Sequence, residues 1–376
     1  MTFFKVNTSY IKNTIVMLSC FITTISMMGC NGNSKGSQAS HDTVSSHSIV
    51  DDSARIVTIA MTGDIMTGTT YPTPWLPPND GKEIFNDCKE ILRNADVACG
   101  NLEGVLADSG NARKAGRPGT FSFLMPTKSV DLLVNAGYDF LGLANNHIFD
   151  FSEEGCQSTV NTLQKAGMGF AGIKDAEYSI REINGVRYGF CAFGFKRYNL
   201  SVDDSATVKR IITQLRPKVD IVIVSFHAGR EGAEFKHLPH GLETHAGQSR
   251  GNARVFAHQC IDYGADIVYG HSPHVCRAME LYKGHLIAYS LGNFATPTGM
   301  RLEGERGYAP VVTARLDRQG KLIGGKIHSF IQRRNVGPRR DTTCKVAKEI
   351  MTLTREDIND NKLNIAPDGT ITTKET

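Results

Sequence analysis

Five short apolar runs in this chain each end in side chains able to hold a metal ion or move a proton, and this repetition limits the possible folds more than any other feature. Arg55-Ile56-Val57-Thr58-Ile59-Ala60-Met61 runs to an expected break at Gly63 and presents Asp64. Asp96-Val97-Ala98-Cys99 leads to Asn101 and Glu103, and Phe140-Leu141-Gly142-Leu143-Ala144 leads to Asn146 and His147. Asp220 to Phe226 delivers His227, and Ile267-Val268-Tyr269 delivers His271 and His274. Runs this short and this continuously apolar read as strands covered on both faces. Helices are expected between and beside them at 82–94, 127–137, 152–166, 206–216 and 252–263, with Gly137 and Gly167 as stops. Strand and helix in alternation give an α/β fold, and in open α/β sheets ligands gather outside the carboxyl ends of the strands. Tyr178 to Phe195 reads as a hairpin turning at Asn184-Gly185. Later hairpins turning near Lys283-Gly284 and Gln319-Gly320 add antiparallel strands, so the sheets are expected to be mixed.

Carboxylate, imidazole and amide oxygen together suit Mn, Zn or Fe and suit Ca poorly. Each residue also has a plainer reading. Asp64 and Asn146 are residue types common in turns, and His227 alone fits a hydrogen-bonded, half-buried histidine. Glu231 fits the surface or the surroundings of the site, and Asn293 fits either a functional role or the orientation of a neighbouring loop. His237, His240, His245 and His258 read as solvated surface, with a second metal shell as the alternative. The long polar or Gly-rich segments 110–120 and 230–251 are expected to lie beside the site.

The N-terminus reads as a targeting segment, outside the fold. Lys5 and Lys12 precede an uncharged, largely apolar run, Thr14 to Met28, which is short for a span of about 20 residues. It ends in Ser26-Met27-Met28-Gly29-Cys30 and turns polar at once. That pattern resembles a lipoprotein signal in which Cys30 becomes the lipidated first residue. Met27 replaces the usual Leu, and Leu18-Ser19-Cys20 is a weaker alternative. An ordinary signal peptide or an uncleaved anchor is the other reading. The organisation expected is a signal over 1–29, a flexible tether over 30–54, a domain over 55–335 and a C-terminal extension over 336–376. The protein is then exported and held at the cell envelope, at the outer membrane or its periplasmic face, with lipid as its first partner. Cysteines beyond Cys30 are scattered without a CxxC pair, which fits neither a disulfide scaffold nor a zinc ribbon. A formal charge of +4 argues against a nucleic-acid-binding face, and Arg333, Arg334, Arg339 and Arg340 read as solvated surface.

Six segments in order carry a more specific likeness. They are Gly63-Asp64-Ile65-Met66, Asn101-Leu102-Glu103-Gly104, Ala144-Asn145-Asn146-His147, His227-Ala228-Gly229-Arg230-Glu231, Gly270-His271-Ser272-Pro273-His274 and Tyr289-Ser290-Leu291-Gly292-Asn293-Phe294. Over about residues 56–335 the chain resembles the CapA-like bacterial capsule-synthesis family (poly-γ-glutamate, PGA_cap), itself similar to the calcineurin-like metallophosphoesterases. The resemblance implies a metallophosphoesterase-like α/β/β/α sandwich with two mixed β-sheets. It also implies one or two divalent ions (Mn, Zn or Fe) with Asp64, Glu103, Asn146, His227, His271 and His274 as ligand candidates, and His147 as general acid. Membrane-bound capsule synthesis machinery and an anionic polymer or phosphoester substrate are the partners it implies. The chain departs from the pattern at three places. Met66 stands where the metallophosphoesterases carry a histidine, Asn101 stands where they carry an aspartate, and Ala228 stands where the capsule family commonly has Trp. These departures keep alive a non-catalytic polymer-binding or assembly lipoprotein, and a secreted phosphodiesterase or nucleotidase is a third reading.

Overall fold

The computed structural model describes residues 56–374 apart from 117–118. The signal segment, the tether and Cys30 lie outside the described residues. Fifteen strands build two mixed sheets. In chain order they are β1 (Val57–Ile65), β2 (Val97–Leu102), β3 (Phe140–Gly142), β4 (Gly169–Ala171), β5 (Tyr178–Ile183), β6 (Val186–Gly194), β7 (Ile221–His227), β8 (Ile267–His271), β9 (Met279–Tyr282), β10 (His285–Ala288), β11 (Asn293–Ala295), β12 (Val311–Leu316), β13 (Leu322–His328), β14 (Leu363–Ile365) and β15 (Thr370–Thr373). One sheet runs β14-β15-β13-β12-β1-β2-β3-β4, with β11 alongside the end of β1, and the other runs β9-β10-β8-β7-β6-β5. The site strands β1, β2 and β3 are mutually parallel in the first sheet, as are β7 and β8 in the second.

The site strands are buried on both sides, so alternate residues build different layers. Ile59, Met61, Cys99 and Phe140 of the first sheet meet Tyr188, Phe190, Ile223 and Tyr269 of the second in one central core. The Phe140 and Phe190 rings stack across it with centroids 5.2 Å apart. Residues of the other parity, Ala60, Ala98 and Leu141, face Leu92 of α1 (Lys89–Arg93), Leu133 of α2 (Val130–Ala136) and Leu163 of α3 (Ser152–Lys165). On the second sheet Phe193, Val222 and Val224 face Ile211 of α4 (Ser205–Leu215) and Phe256 of α5 (Ala253–Asp262). The result is the α/β/β/α sandwich. Each large side chain buried in these layers contributes about 1.5–3 kcal/mol. Among the described residues no helix is long and apolar enough to cross a membrane.

Local signals hold where backbone geometry enforces them. Gly137 ends α2 in the left-handed region at φ 96. Asn184 and Gly185 both take positive φ, 52 and 75, as the tight hairpin between β5 and β6 needs. Two expectations are corrected. The helix expected over 82–94 forms only at Lys89–Arg93, after a run of turns. Ile84, Phe85 and Cys88 are buried all the same, and the Glu83 and Ile84 carbonyls accept from the Arg339 guanidinium at 3.1 Å each. The first strand does not break at Gly63 but continues to Ile65. A side chain at Gly63 would collide with the Gly292 carbonyl. Its absence lets the Ser290–Asn293 turn lie against β1, where Asp64 N donates to Gly292 O at 2.9 Å.

Residues 336–374 add to the same body. Gly337–Arg340 pairs with Phe330–Arg333, and β14 and β15 extend the first sheet. Helix α6 (Lys345–Asp357) sends Val346, Ala347 and Ile350 into the central core. All the cysteines among the described residues are free, and all but Cys344 are buried, as expected of small apolar side chains.

Candidate metal centre

The ends of β1, β2, β3, β7 and β8 converge, and the polar residues that follow them meet in one buried cluster. Asp64, Asn101, Glu103, Asn145 and His227 are fully buried, and His147 and His271 nearly so. Asp64, His227 and His271 each offer one ligand atom, and these atoms lie within 4.8 Å of one another. His227 Nδ1 faces His271 Nδ1 at 3.0 Å, His271 Nδ1 is 3.6 Å from Asp64 Oδ1, and His227 Nδ1 is 3.6 Å from Glu103 Oε2. The far side of each ring is held. His227 Nε2 meets Asn146 Oδ1 at 2.7 Å, and His271 Nε2 meets Ser225 Oγ at 2.8 Å. Fixing the outer nitrogen orients the inner one, as in metal-ligating histidines generally.

Electrostatics favour a cation here. Burial, then the charge of His271 and His274, pushes His227 well below its usual pKa. Burial carries His271 down to about 4. Both rings are therefore neutral, the form that binds metals. Burial and then the nearby Asp64 charge push Glu103 well above the usual carboxylate range. Glu103 Oε1 is buried without a hydrogen-bond partner. A buried acceptor in that state costs about 1–3 kcal/mol unless something positive completes it. The donor set therefore fits a divalent ion of borderline softness.

Two expected ligands sit differently. His274 Nδ1 is engaged by Asp64 Oδ2 at 2.9 Å and Asn293 Oδ1 at 3.0 Å. Burial opposes its charge, but the Asp64 hydrogen bond and charge, with Glu231 and Glu103, raise it to about 9. Asn146 turns its side-chain oxygen to His227. Asn293 proves to be the orienting residue, since it also donates to the His274 and Arg306 carbonyls. Met66 is buried in the apolar core behind β1.

On the Glu103 side stands His147. Its Nδ1 meets Asp150 Oδ2 at 2.7 Å, and Lys114 Nζ lies 2.6 Å from Asp150 Oδ1. Its Nε2 lies 3.7 Å from Glu103 Oε1. Phe123 packs on the ring with centroids 4.4 Å apart. Burial lowers the His147 pKa, with Asp150 pulling the other way. Burial would raise Asp150, but His147 and Lys114 outweigh it and hold it low. Both long loops reach the site. Segment 110–120 brings Lys114, and segment 230–251 brings Glu231 and Arg250, paired at 2.7 Å. Arg250 lies over the Phe195 ring at 3.9 Å, and that ring stacks on His227. Sequence reasoning missed Asp150, Lys114, Arg250 and the role of Asn145. A signal existed for Asp150, three residues after His147; for Lys114 and Arg250 only the loop lengths hinted. Of the histidines read as solvated, His237 pairs with Asp357 at 2.8 Å, and His258 pairs with Glu280 at 3.0 Å and stacks on Tyr282.

Fold and cluster define an α/β/β/α sandwich with a histidine–carboxylate centre at its strand ends, the class expected of a metallophosphoesterase-like protein. The family described as "Bacterial capsule synthesis protein PGA_cap" matches residues 58–298, and the chain belongs to that family. It is 28% identical over 271 residues to the "Capsule biosynthesis protein CapA" of Bacillus anthracis, covering 65% of this chain and 60% of that protein. It is 28% identical over 261 residues to the "PGA biosynthesis protein CapA" of Bacillus subtilis (strain 168), covering 65% and 64%. The chain thus spans less than two thirds of the length of these relatives. Among solved structures, a 5'-nucleotidase precursor from Thermus thermophilus aligns with a TM-score of 0.41 at 11% identity, over 74% of this chain and 54% of that one. The NAD nucleotidase of Haemophilus influenzae aligns with a TM-score of 0.40 at 11% identity, over 80% and 56%.

Proposed function

We propose that this protein is a metal-dependent hydrolase of the metallophosphoesterase type, acting in capsule or poly-γ-glutamate biosynthesis at the cell envelope. The observation that carries the reading is the convergence of Asp64, His227 and His271 on one point, beside the unpartnered Glu103 Oε1. Asp64, His227, His271 and Glu103 would hold the ion, with His274 and Asn146 fixing Asp64 and His227 from behind. A divalent ion there supplies electrostatic stabilisation of the negative charge that develops on a phosphoryl or carbonyl oxygen. His147 acts as general acid through Nε2 in its doubly protonated form, which the Asp150 charge favours against burial. Asp150 orients the ring through Nδ1 and Lys114 holds Asp150 in place. Lys196, over the Phe195 ring, brings positive charge for an anionic substrate, while Arg250 on the same ring is buried and paired with Glu231.

Cys30 tethers the domain to lipid in this reading, beside membrane-bound synthesis machinery. Replacing Cys30 with Ala is expected to move the protein from the membrane to the soluble fraction and to abolish incorporation of a labelled fatty acid; unchanged partitioning would overturn the tether.

The activity test takes the full chain through elemental analysis, then through a panel of phosphomonoesters, phosphodiesters, nucleotides and poly-γ-glutamate. A bound transition metal and turnover that chelation abolishes are the expected result. A chain that holds no metal and cannot be loaded sinks the hydrolase and leaves the polymer-binding reading. Turnover of nucleotides alone would favour a nucleotidase.

A further inference from the structure

Asn101 stands at the middle of the cluster, and its orientation is not free. Asn145 donates through Nδ2 to the Leu102 carbonyl at 2.7 Å and to Asn101 Oδ1 at 3.0 Å. Asn145 Oδ1 accepts from the backbone N–H groups of His147 and Ile148 at 3.0 Å each. A carbonyl only accepts and an N–H only donates, so the Asn145 amide has one self-consistent orientation. That orientation fixes Asn101 in turn. Its Oδ1 faces Asn145, and its Nδ2 faces Asp64 Oδ1 at 2.8 Å and the Glu103 carboxylate at Oε2. An amide nitrogen has two protons, one for each carboxylate.

The amide is therefore a donor wedged between two buried carboxylates, where a cation shared by them would otherwise lie. The same two oxygens, Asp64 Oδ1 and Glu103 Oε2, also face the inward Nδ1 of His271 and of His227. Each carboxylate oxygen has a second lone pair, so donation from Asn101 leaves room for an ion on the histidine side only.

Building on the metal reading above, we infer that this centre takes one divalent cation and not two, because the Asn101 amide fills the position between Asp64 and Glu103 that a second, shared ion would need. Asn145 is the positioning residue that keeps the donor pointed inward. Replacing the donor with an acceptor reverses the preference. Asn101→Asp sets three carboxylates together, a charge that a second cation relieves. Asn145→Asp acts from behind without adding a carboxylate beside the pair. An aspartate there only accepts, so Asn101 must turn its nitrogen outward and its oxygen toward Asp64 and Glu103.

The experiment measures metal per chain. The full chain is stripped with a chelator, equilibrated with excess Mn²⁺ or Zn²⁺, freed of unbound ion by desalting and analysed, with circular dichroism to confirm folding. The wild type is expected to retain about one ion and Asn101→Asp about two, since deprotonated oxygen ligands set ion occupancy. Asn145→Asp is also expected to rise toward about two, and it carries the test if the Asn101 variant does not fold. Two ions in the wild type, or no gain in the folded variants, overturns the single-ion inference while the metal reading stands. No ion in the wild type overturns the metal reading and this inference with it.

Discussion

Two of the places where the described residues bury charge are treated in opposite ways. Beneath segment 230–251, Arg277 and Glu243 are almost fully buried and form a two-pronged pair at 2.7 and 2.8 Å. Two further Arg277 donors go to the Phe235 carbonyl at 3.0 and 2.7 Å, and Glu243 also accepts from Arg230 N at 3.0 Å. All three guanidinium nitrogens and both carboxylate oxygens are engaged, and the pair does one thing: it pins the loop that carries Glu231 and Arg250 to the site. At the strand ends, by contrast, carboxylates and imidazoles crowd within reach of one another. There two histidines are held neutral, Glu103 is pushed toward protonation, and one carboxylate oxygen has no partner. A buried network that is complete is an anchor; one that is incomplete and faces a shared point is a place for a ligand.

The contrast can be broken by experiment. The largest effect should come from the incomplete cluster. His147→Gln is expected to lower turnover by about 10²–10⁴-fold, the usual value of a general acid, while metal content stays at the wild-type level. Loss of metal together with activity would show that His147 is a ligand instead. Next comes the anchor. Arg277→Met leaves Glu243 buried and unpaired and should cost about 3–5 kcal/mol in denaturant unfolding. A cost below about 1 kcal/mol would mean that the pair is no anchor. The smallest effect separates the two regions directly. Metal at a hundredfold excess over its dissociation constant should stabilise the wild type by about 2.7 kcal/mol. The same addition should do little for a His227→Ala, His271→Ala double variant. Equal protection of both proteins would place the ion elsewhere.

Much of this was readable along the chain, for identifiable reasons. Strands β1, β2, β3, β7 and β8 are short, mostly apolar runs without the polar alternation of a half-exposed strand, and each ends at or near its first metal-type donor. Burial on both faces forces that composition, so the sequence displays it. Asn184-Gly185 and Gly137 were equally plain, because few residues accept positive φ. The misreadings have the same kind of cause. Residues 82–88 carry buried apolar side chains at spacings that suit a helix, but the partner that takes their carbonyls, Arg339, comes from the far end of the chain. Gly63 looked like a stop because what presses against it is the Gly292 carbonyl, equally remote in sequence.

By itself the sequence determined the class of fold, which strands lead into the cluster and that Asp64, Glu103, His147, His227 and His271 follow or close them, since periodicity and residue chemistry are local properties. Only the tertiary structure decided which way each of these side chains is turned. Asn145 aims Asn101, Asn293 holds His274, Ser225 turns His271, and Asp150 with Lys114 orients His147. Those are hydrogen bonds, directional over about 3 Å, and apart from Asp150 to His147 they join residues remote in sequence that only the packing of the strand ends and loops brings together.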